Sequence, residues 1–250
     1  GLVGYLSYRS GQKAVEDMAI SLMTEIGDRI DQNLNFYLNA PEQFTHSNAA
    51  LIRQGILDYQ NLSTLQTHFA QQLQIFPKVS DVLISNERKD YLEVSRYQSQ
   101  QLTIRILNAT KSKKFYRYRA DLSGKIKHLL QIRTDYDPHN DPAGGKPWYG
   151  AARDAKIGGW MLFVSLSQGK NQPMLAVGYD LPFYDNRGKF QGVISSSLYL
   201  MQFGEFLESL QIGKTGQAFL IDQEGQMIAN SVNEVPFITT VKSELSQNID

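Results

Sequence analysis

The chain has 250 residues, of which 42% are hydrophobic and 20% charged; its 25 basic and 25 acidic side chains cancel, and it has no cysteine. This composition is typical of a folded globular protein and excludes wholesale disorder. The zero net charge gives no support to nucleic-acid binding, and the lack of cysteine excludes disulfides, thiolate catalysis and cysteine-based metal sites.

The first residues of the chain, GLVGYLSY, read like the last part of an apolar segment. No stretch reaches the roughly 20 apolar residues that cross a bilayer. We therefore expect that the natural N-terminus continued into a membrane span. The alternative is a short amphipathic segment that leads into the first helix.

A long amphipathic helix is predicted over residues 11–40. Apolar side chains recur at every fourth position from Ala14 to Leu38, while charged residues occupy the other faces. Pro41 is predicted to end this helix, because proline lacks the N–H that a helix interior needs. About 30 residues of helix span about 45 Å, which indicates either a spine along two stacked modules or a dimerisation stalk.

Two shorter helices are predicted next, one after Ser47 and one after Ser63, and strands follow them. The strands are predicted from period-two segments rich in β-branched and aromatic residues: VSDVLIS, YLEVSRY, LTIRIL, KFYRYRA, KIKHLLQIR, WMLFVSLS, MLAVGYDLPFY, GVISSSLYL, QAFLID and MIANSV. Turn residues at 121–124 and 185–188 predict hairpins, and residues 201–210 predict a linking helix. Helices first and antiparallel strands afterwards indicate an α+β fold. The part from residue 212 is too short for a complete second domain.

Motifs that would mark an enzyme are absent from the sequence. There is no GxSxG and no HExxH, and IGKTG at 212–216 lacks the upstream glycine of a phosphate-binding loop. The acidic residues of DYDPHND at 135–141 alternate as ligands of a hard cation can, but they lack the register of an EF-hand, and Asx-Pro turns explain them. The sequence therefore predicts no catalytic residue, no metal and no cofactor.

Several segments together resemble a double Cache sensor domain of cyanobacterial-type membrane receptors. They are the long helix, the strand meander, the Pro-Trp-Tyr element at 147–149, the hairpin PFYDNRGKFQGVISSSLYL and the segment FLESLQIGKTGQAFLIDQEGQMIANS. The resemblance covers residues 1–232 and implies PAS-like modules stacked along one helix. The implied parts are a spine helix over 1–45, a membrane-distal Cache module over 46–210 and the incomplete start of a membrane-proximal module over 211–250.

The same resemblance implies where the domain lies and what it serves. It implies an extracytoplasmic sensor domain that is not itself an enzyme and binds a small-molecule ligand. The parent protein would be a membrane-anchored receptor that forms a homodimer through the N-terminal helix. Its output would be a histidine kinase or an adenylate or guanylate cyclase.

The resemblance also implies a ligand site in the membrane-distal module. In the family's Tyr-Asp-Pro-Arg-x-Arg-Pro-Trp-Tyr element, an arginine grips the ligand carboxylate and the aromatic rings wall the pocket, while an aspartate after a later Gly-Val holds the ligand amine. The candidate site residues here are Tyr136, Asp137, Lys146, Trp148, Tyr149, Tyr179, Asp180 and Ser197. Strand alternation allows only one of Tyr179 and Asp180 to face the cavity.

Three departures from the family's pattern change the expected ligand. Lys146 stands where the pattern has the gripping arginine, Val164 where it has a later tyrosine, and Ser197 where it has the amine-binding aspartate. Lysine keeps the positive charge without the bidentate fork, and an ammonium without a carboxylate partner is costly to bury. The sequence therefore predicts a small carboxylate or another non-amino-acid metabolite as ligand. The alternatives are a dimerisation module with a vestigial pocket, and a hydrolase without a recognisable nucleophile–base pair.

Overall fold

The computed structural model of the chain describes residues 2–98, 100–140, 148–165, 174–210, 217, 219–221, 225 and 227–230. Within these residues the helices are α1 (Leu2–Arg53), α2 (Leu62–Ile75), α3 (Trp148–Ala155) and α4 (Met201–Ser209). The strands are β1 (Asp81–Asn86), β2 (Tyr91–Gln98), β3 (Gln101–Leu107), β4 (Phe115–Ala120), β5 (Ile126–Arg133), β6 (Gly159–Ser165), β7 (Met174–Tyr184), β8 (Phe190–Tyr199), β9 (Phe219–Ile221) and β10 (Met227–Asn230). The predicted α+β order is confirmed, and each predicted strand segment contains a strand.

Helix α1 passes through Pro41 and ends at Arg53, so the prediction that Pro41 ends the helix is wrong. A proline inside a helix removes one backbone hydrogen bond and costs ~3 kcal/mol. Contacts with the sheet outweigh that cost here. Phe44 is fully buried in the core, and the hydroxyls of Thr45 and Ser196 each donate a hydrogen bond of 2.8 Å to the Pro41 carbonyl oxygen.

Strands β1 to β8 form one antiparallel sheet in the spatial order β5-β4-β3-β2-β1-β8-β7-β6. The pairing of β1 with β8 is the seam at which the strands before α3 meet the strands after it. Backbones approach closely along this seam at Gly192, where an added Cβ would lie 2.2 Å from the Ser85 carbonyl oxygen. The sheet therefore needs a residue without a side chain at this position.

One face of the sheet carries the main hydrophobic core and is covered by α1 and α2. The buried apolar residues that alternate along its strands include Val82, Ile84, Leu92, Val94 and Ile104. From the helices, Phe44, Leu65 and Phe69 pack on them. The period-two patterning of the sequence thus places one apolar set against the helices and leaves the other set of side chains on the opposite face.

A second cluster joins α1 to the C-terminal elements. Phe203 and Leu207 of α4 pack there together with Ile26 and Ile30 of α1, and β9 and β10 form a separate two-stranded sheet. Closer to its N-terminus α1 presents exposed apolar side chains, among them Val15, Met18 and Met23. No helix in the described ranges is both long enough and apolar enough to span a bilayer.

Candidate functional site

The face of the sheet that points away from α1 and α2 carries charged residues across its middle. The strand register places two neighbouring rows of side chains across it, from β4 to β7. One row is Arg117, Arg105, Glu93, Leu83, Ser195 and Asp180; the other is Arg119, Thr103, Ser95, Asp81, Ser197 and Gly178. We call these two rows the polar floor. Its arginines lie on β3 and β4, and its carboxyl groups lie on β1, β2 and β7.

The carboxyl groups of the polar floor are buried. The exposed fraction is 2% for Asp81, 3% for Glu93 and 7% for Asp180. Burying ionisable groups costs free energy, and a sheet face that served only for packing would be apolar. Such a concentration of buried charge is typical of binding sites.

Glu93 is held by an ion pair and a phenol. Arg105 Nη1 donates to Glu93 Oε2 at 3.3 Å, and the Tyr91 hydroxyl donates to the same oxygen at 2.6 Å. Burial, followed by the charge of Glu93, raises the pKa of Tyr91, which keeps this phenol neutral and able to donate. The Glu93 carboxylate is therefore compensated within the protein.

Asp81 and Asp180 are held differently, by hydroxyl groups. The Ser197 hydroxyl donates to Asp81 Oδ1 at 2.6 Å, and the Ser195 side chain is hydrogen-bonded to Asp180. Burial raises the pKa of Asp81 to about 7, with Glu93 as the next largest cause. Burial also raises the pKa of Asp180 to about 6. In the described part of the chain, neither carboxyl group forms a salt bridge.

An aromatic wall borders the polar floor. Tyr136 and Trp148 pack on the next row of the same face, which includes Tyr91 and Phe115. The Tyr136 ring lies 4.3 Å from the Phe115 ring, centroid to centroid. The Trp148 indole N–H donates to the Pro138 carbonyl oxygen at 3.1 Å. These two sequence-predicted residues are therefore brought together beside the buried charges.

Tyr149, on the buried side of α3, is packed in the interior with 2% of its surface exposed. Its ring stacks on the His139 ring at 3.6 Å, centroid to centroid, and meets the Phe190 ring edge-on. Among the described residues no hydrogen-bond partner reaches its hydroxyl group. Burial raises the pKa of this phenol, so it stays neutral.

The remaining candidate residues divide between the polar floor and other places. Asp180 and Ser197 lie on the floor, whereas Tyr179 points to the helix face, where its hydroxyl lies 3.1 Å from His46 Nε2. Asp137 closes a turn and pairs with Lys89 Nζ at 2.6 Å. Lys146 lies outside the described residues. The described ranges contain no group of three or more side chains that could hold a metal ion.

The sequence interpretation missed the charges that dominate the floor: Asp81, Glu93, Arg105, Arg117 and Arg119. A signal for four of them is present in YLEVSRY, LTIRIL and KFYRYRA, where a charge alternates with apolar residues. Such a charge is buried wherever both faces of the sheet are covered. The premise that Ser197 leaves the site without a carboxylate is wrong, because Asp81 on the paired strand accepts a hydrogen bond from Ser197.

The sequence matches no known family model and no curated protein. Solved structures do match. The extracellular domain of a predicted histidine kinase, soHK1S-Z6, has a TM-score of 0.52 and 17% identity, over 85% of this chain and 73% of that chain. The ligand-binding domain of the Pseudomonas aeruginosa PAO1 amino acid chemoreceptor PctC, in complex with GABA, has a TM-score of 0.51 and 18% identity, over 83% and 73% of the chains. The ligand-binding domain of Mlp24 with asparagine has a TM-score of 0.52 and 15% identity, over 85% and 70%. The likeness establishes a shared fold.

Proposed function

We propose that this chain, which has the fold of Cache-type extracellular sensor domains, is the extracytoplasmic small-molecule sensor of a transmembrane receptor. The polar floor is the observation that carries the proposal. It concentrates buried charged groups beside an aromatic wall, and packing of the sheet does not require such charges. Two of the structures that share the fold hold small molecules, namely GABA and asparagine. The fold and the floor together support ligand binding, and no enzymatic motif competes with it.

The ligand that we propose is a small carboxylate. Guanidinium groups bind carboxylates through paired N–H donors, which a lysine cannot offer. Arg105, Arg117 and Arg119 form such a basic side of the floor. These arginines would bind the ligand carboxylate, a role that the family resemblance implied for Lys146. Tyr136 and Trp148 provide the apolar wall for the body of the ligand.

The site is tested by replacing Arg117 with glutamine. We expect small mono- and dicarboxylates to raise the melting temperature of the protein, because a ligand that binds only the folded state stabilises it. In Arg117→Gln at least tenfold of the affinity should be lost, since a charge-assisted hydrogen bond contributes roughly 1.5–3 kcal/mol. Thermal shift and calorimetric titration measure both effects.

Two further variants sharpen the test. Arg187→Gln changes an exposed arginine in the β7–β8 turn and serves as the matched control, with unchanged binding. The double variant Arg105→Gln with Glu93→Gln removes both partners of the buried pair, which avoids leaving one charge uncompensated. Full affinity in Arg117→Gln would place the ligand elsewhere.

The route from ligand to helix that we propose runs through strand β8. Ser195 and Ser197 belong to the polar floor, whereas the side chain of Ser196 points to the opposite face, towards α1. The Ser196 hydroxyl lies 2.7 Å from the Thr45 hydroxyl and donates to the Pro41 carbonyl oxygen. A ligand that favours one position of β8 would therefore shift α1, because a ligand moves an equilibrium by its differential affinity for the two states.

Ser196→Ala should weaken this link. We expect a loss of about 1 kcal/mol in the free energy of unfolding, since one buried side-chain hydrogen-bonding group is removed. Ligand-induced changes in amide hydrogen exchange around Pro41 should shrink with it. Ser63→Ala, at an exposed position of α2, is the control and should change neither quantity. If saturating carboxylate leaves α1 exchange unchanged in the unmutated protein, the route is wrong.

The wider organisation remains our proposal. Residues 46–210 contain the ligand-binding sheet as a membrane-distal module, with 1–45 as the spine helix and 211–250 as the start of a membrane-proximal module. The exposed apolar side chains of α1 favour pairing of two copies through this helix in a membrane-anchored histidine kinase or nucleotide cyclase. They also favour the alternative function, a dimerisation module with a vestigial pocket. That alternative holds if no carboxylate shifts the melting temperature.

A further inference from the structure

The three buried carboxyl groups of the polar floor have two kinds of partner. Glu93 faces the cation of Arg105, so its negative charge is compensated. Asp81 and Asp180 face the hydroxyls of Ser197 and Ser195. A carboxyl group that is buried against hydroxyls holds its proton more strongly than one paired with a cation.

We propose that Asp81 and Asp180 contact the ligand as neutral carboxylic acids, each donating a hydrogen bond to an anionic ligand group, so that ligand binding takes up protons. This inference rests on the proposed function, because it names how the same site recognises its carboxylate. Arg105 of β3 would neutralise the anionic group to which Asp81 donates from β1, and Asp180 would donate to a second anionic group of the ligand from β7, which lies two strands away from β1.

The charged surroundings support this protonation state. Asp81 has Glu93 of β2 nearby, which favours the neutral acid, and Arg105 of β3, which opposes it. The Tyr199 hydroxyl of β8 also lies beside Asp81 and, like Arg105, lowers the pKa of this carboxyl group. For Asp180, burial outweighs the hydrogen bond with Ser195. On α3, which covers this part of the sheet, Arg153 and Asp154 pair with each other in solvent.

The sign of the proton exchange distinguishes two ligand classes. An anion placed beside these groups raises the pKa of both further, so binding takes up protons and tightens as the pH falls. An ammonium would need ionised carboxylates, so binding would release protons and tighten as the pH rises. The structure points to the first case, since the arginines already provide the site for an anion.

The expected pH dependence is large. With a pKa of about 7 for Asp81 and about 6 for Asp180, a ligand that needs both acids neutral binds about 100-fold more weakly at pH 7.5 than at pH 5.5. Asp81→Asn and Asp180→Asn should each remove part of this dependence, and the double variant should remove nearly all of it. Asp58→Asn, at an exposed carboxylate, is the matched control and should leave it intact.

Two measurements test the inference. Infrared spectra of the ligand-free protein at pH 5.5 should contain protonated-carboxyl absorption that disappears in the double variant; if that absorption is absent, the inference is overturned. Calorimetric titration with a binding carboxylate, in phosphate and in Tris, should give net proton uptake at pH 7. Release, or no exchange, overturns the inference while the proposed function stands. If no carboxylate binds at either pH, both fail together.

Discussion

Replacing Asp81 with asparagine should stabilise the protein at pH 8 by roughly 4 kcal/mol relative to its effect near pH 4. The pKa of Asp81 rises from 3.8 to about 7 on folding, mainly through burial. Between these pH values the unfolded chain has lost the proton that the folded chain retains, so the unmutated protein loses stability as the pH rises. Each pKa unit corresponds to about 1.4 kcal/mol. Asparagine does not titrate, and its amide oxygen can still accept the Ser197 hydrogen bond.

Urea denaturation between pH 4 and pH 8 measures this effect. Asp180→Asn should behave in the same way with a smaller amplitude, because the pKa of Asp180 rises only to about 6. Asp58→Asn controls for the loss of a surface charge. An Asp81→Asn variant that is destabilised more at pH 8 than at pH 4 would show that Asp81 acts as a compensated carboxylate.

Replacing Gly192 with alanine should destabilise the protein by roughly 3 kcal/mol or prevent it from folding. The added Cβ would lie 2.2 Å from the Ser85 carbonyl oxygen, 2.8 Å from Asn86 Cα and 2.8 Å from the Phe183 ring. Two of these neighbours are backbone atoms of β1, so relief requires the paired strands to move apart. Overpacking of a well-packed interior typically costs about 1–3 kcal/mol, and a forced backbone shift lies at the upper end of that range.

Thermal unfolding monitored by circular dichroism measures the loss. A destabilisation of roughly 3 kcal/mol should lower the melting temperature by about 6–12 °C for a domain of this size. Gly159→Ala on β6 is the matched control, because an added Cβ there meets no atom within 4 Å. Equal melting temperatures for the two variants would mean that the seam is looser than these distances indicate.

The strands and hairpins were predictable because their signals are local. The alternation of apolar and polar side chains in segments such as YLEVSRY locates a strand to within a few residues. The turns at Asp121 and Asp185 are likewise predicted from neighbouring residues alone. The end of α1 was not predictable, because the interactions that carry the helix past Pro41 come from distant Ser196. Local propensity gives way there to tertiary contacts.

The candidate site divides along the same line. Tyr136 and Trp148 could be singled out because they belong to one compact sequence pattern, and Ser197 because it follows a Gly-Val pair. Asp81 and Arg105 belong to no such pattern. They become candidate site residues only through strand register, which brings Asp81 to Ser197 across 116 positions of sequence. The alternation of side chains along a strand was enough to predict that Asp180 and Tyr179 lie on opposite faces of the sheet.

The seam between β1 and β8 has a consequence for how the protein acquires its site. Contacts between residues so far apart in the chain close late, because long loops must be ordered before such contacts form. The strands β1 to β5 can pair as successive hairpins while the chain is still being synthesised. Asp81 forms its hydrogen bond with Ser197 only after β8 has been synthesised and has paired with β1. The candidate ligand site is therefore completed in the same step as the sheet. A molecule halted before that step would have neither a complete sheet nor a complete polar floor.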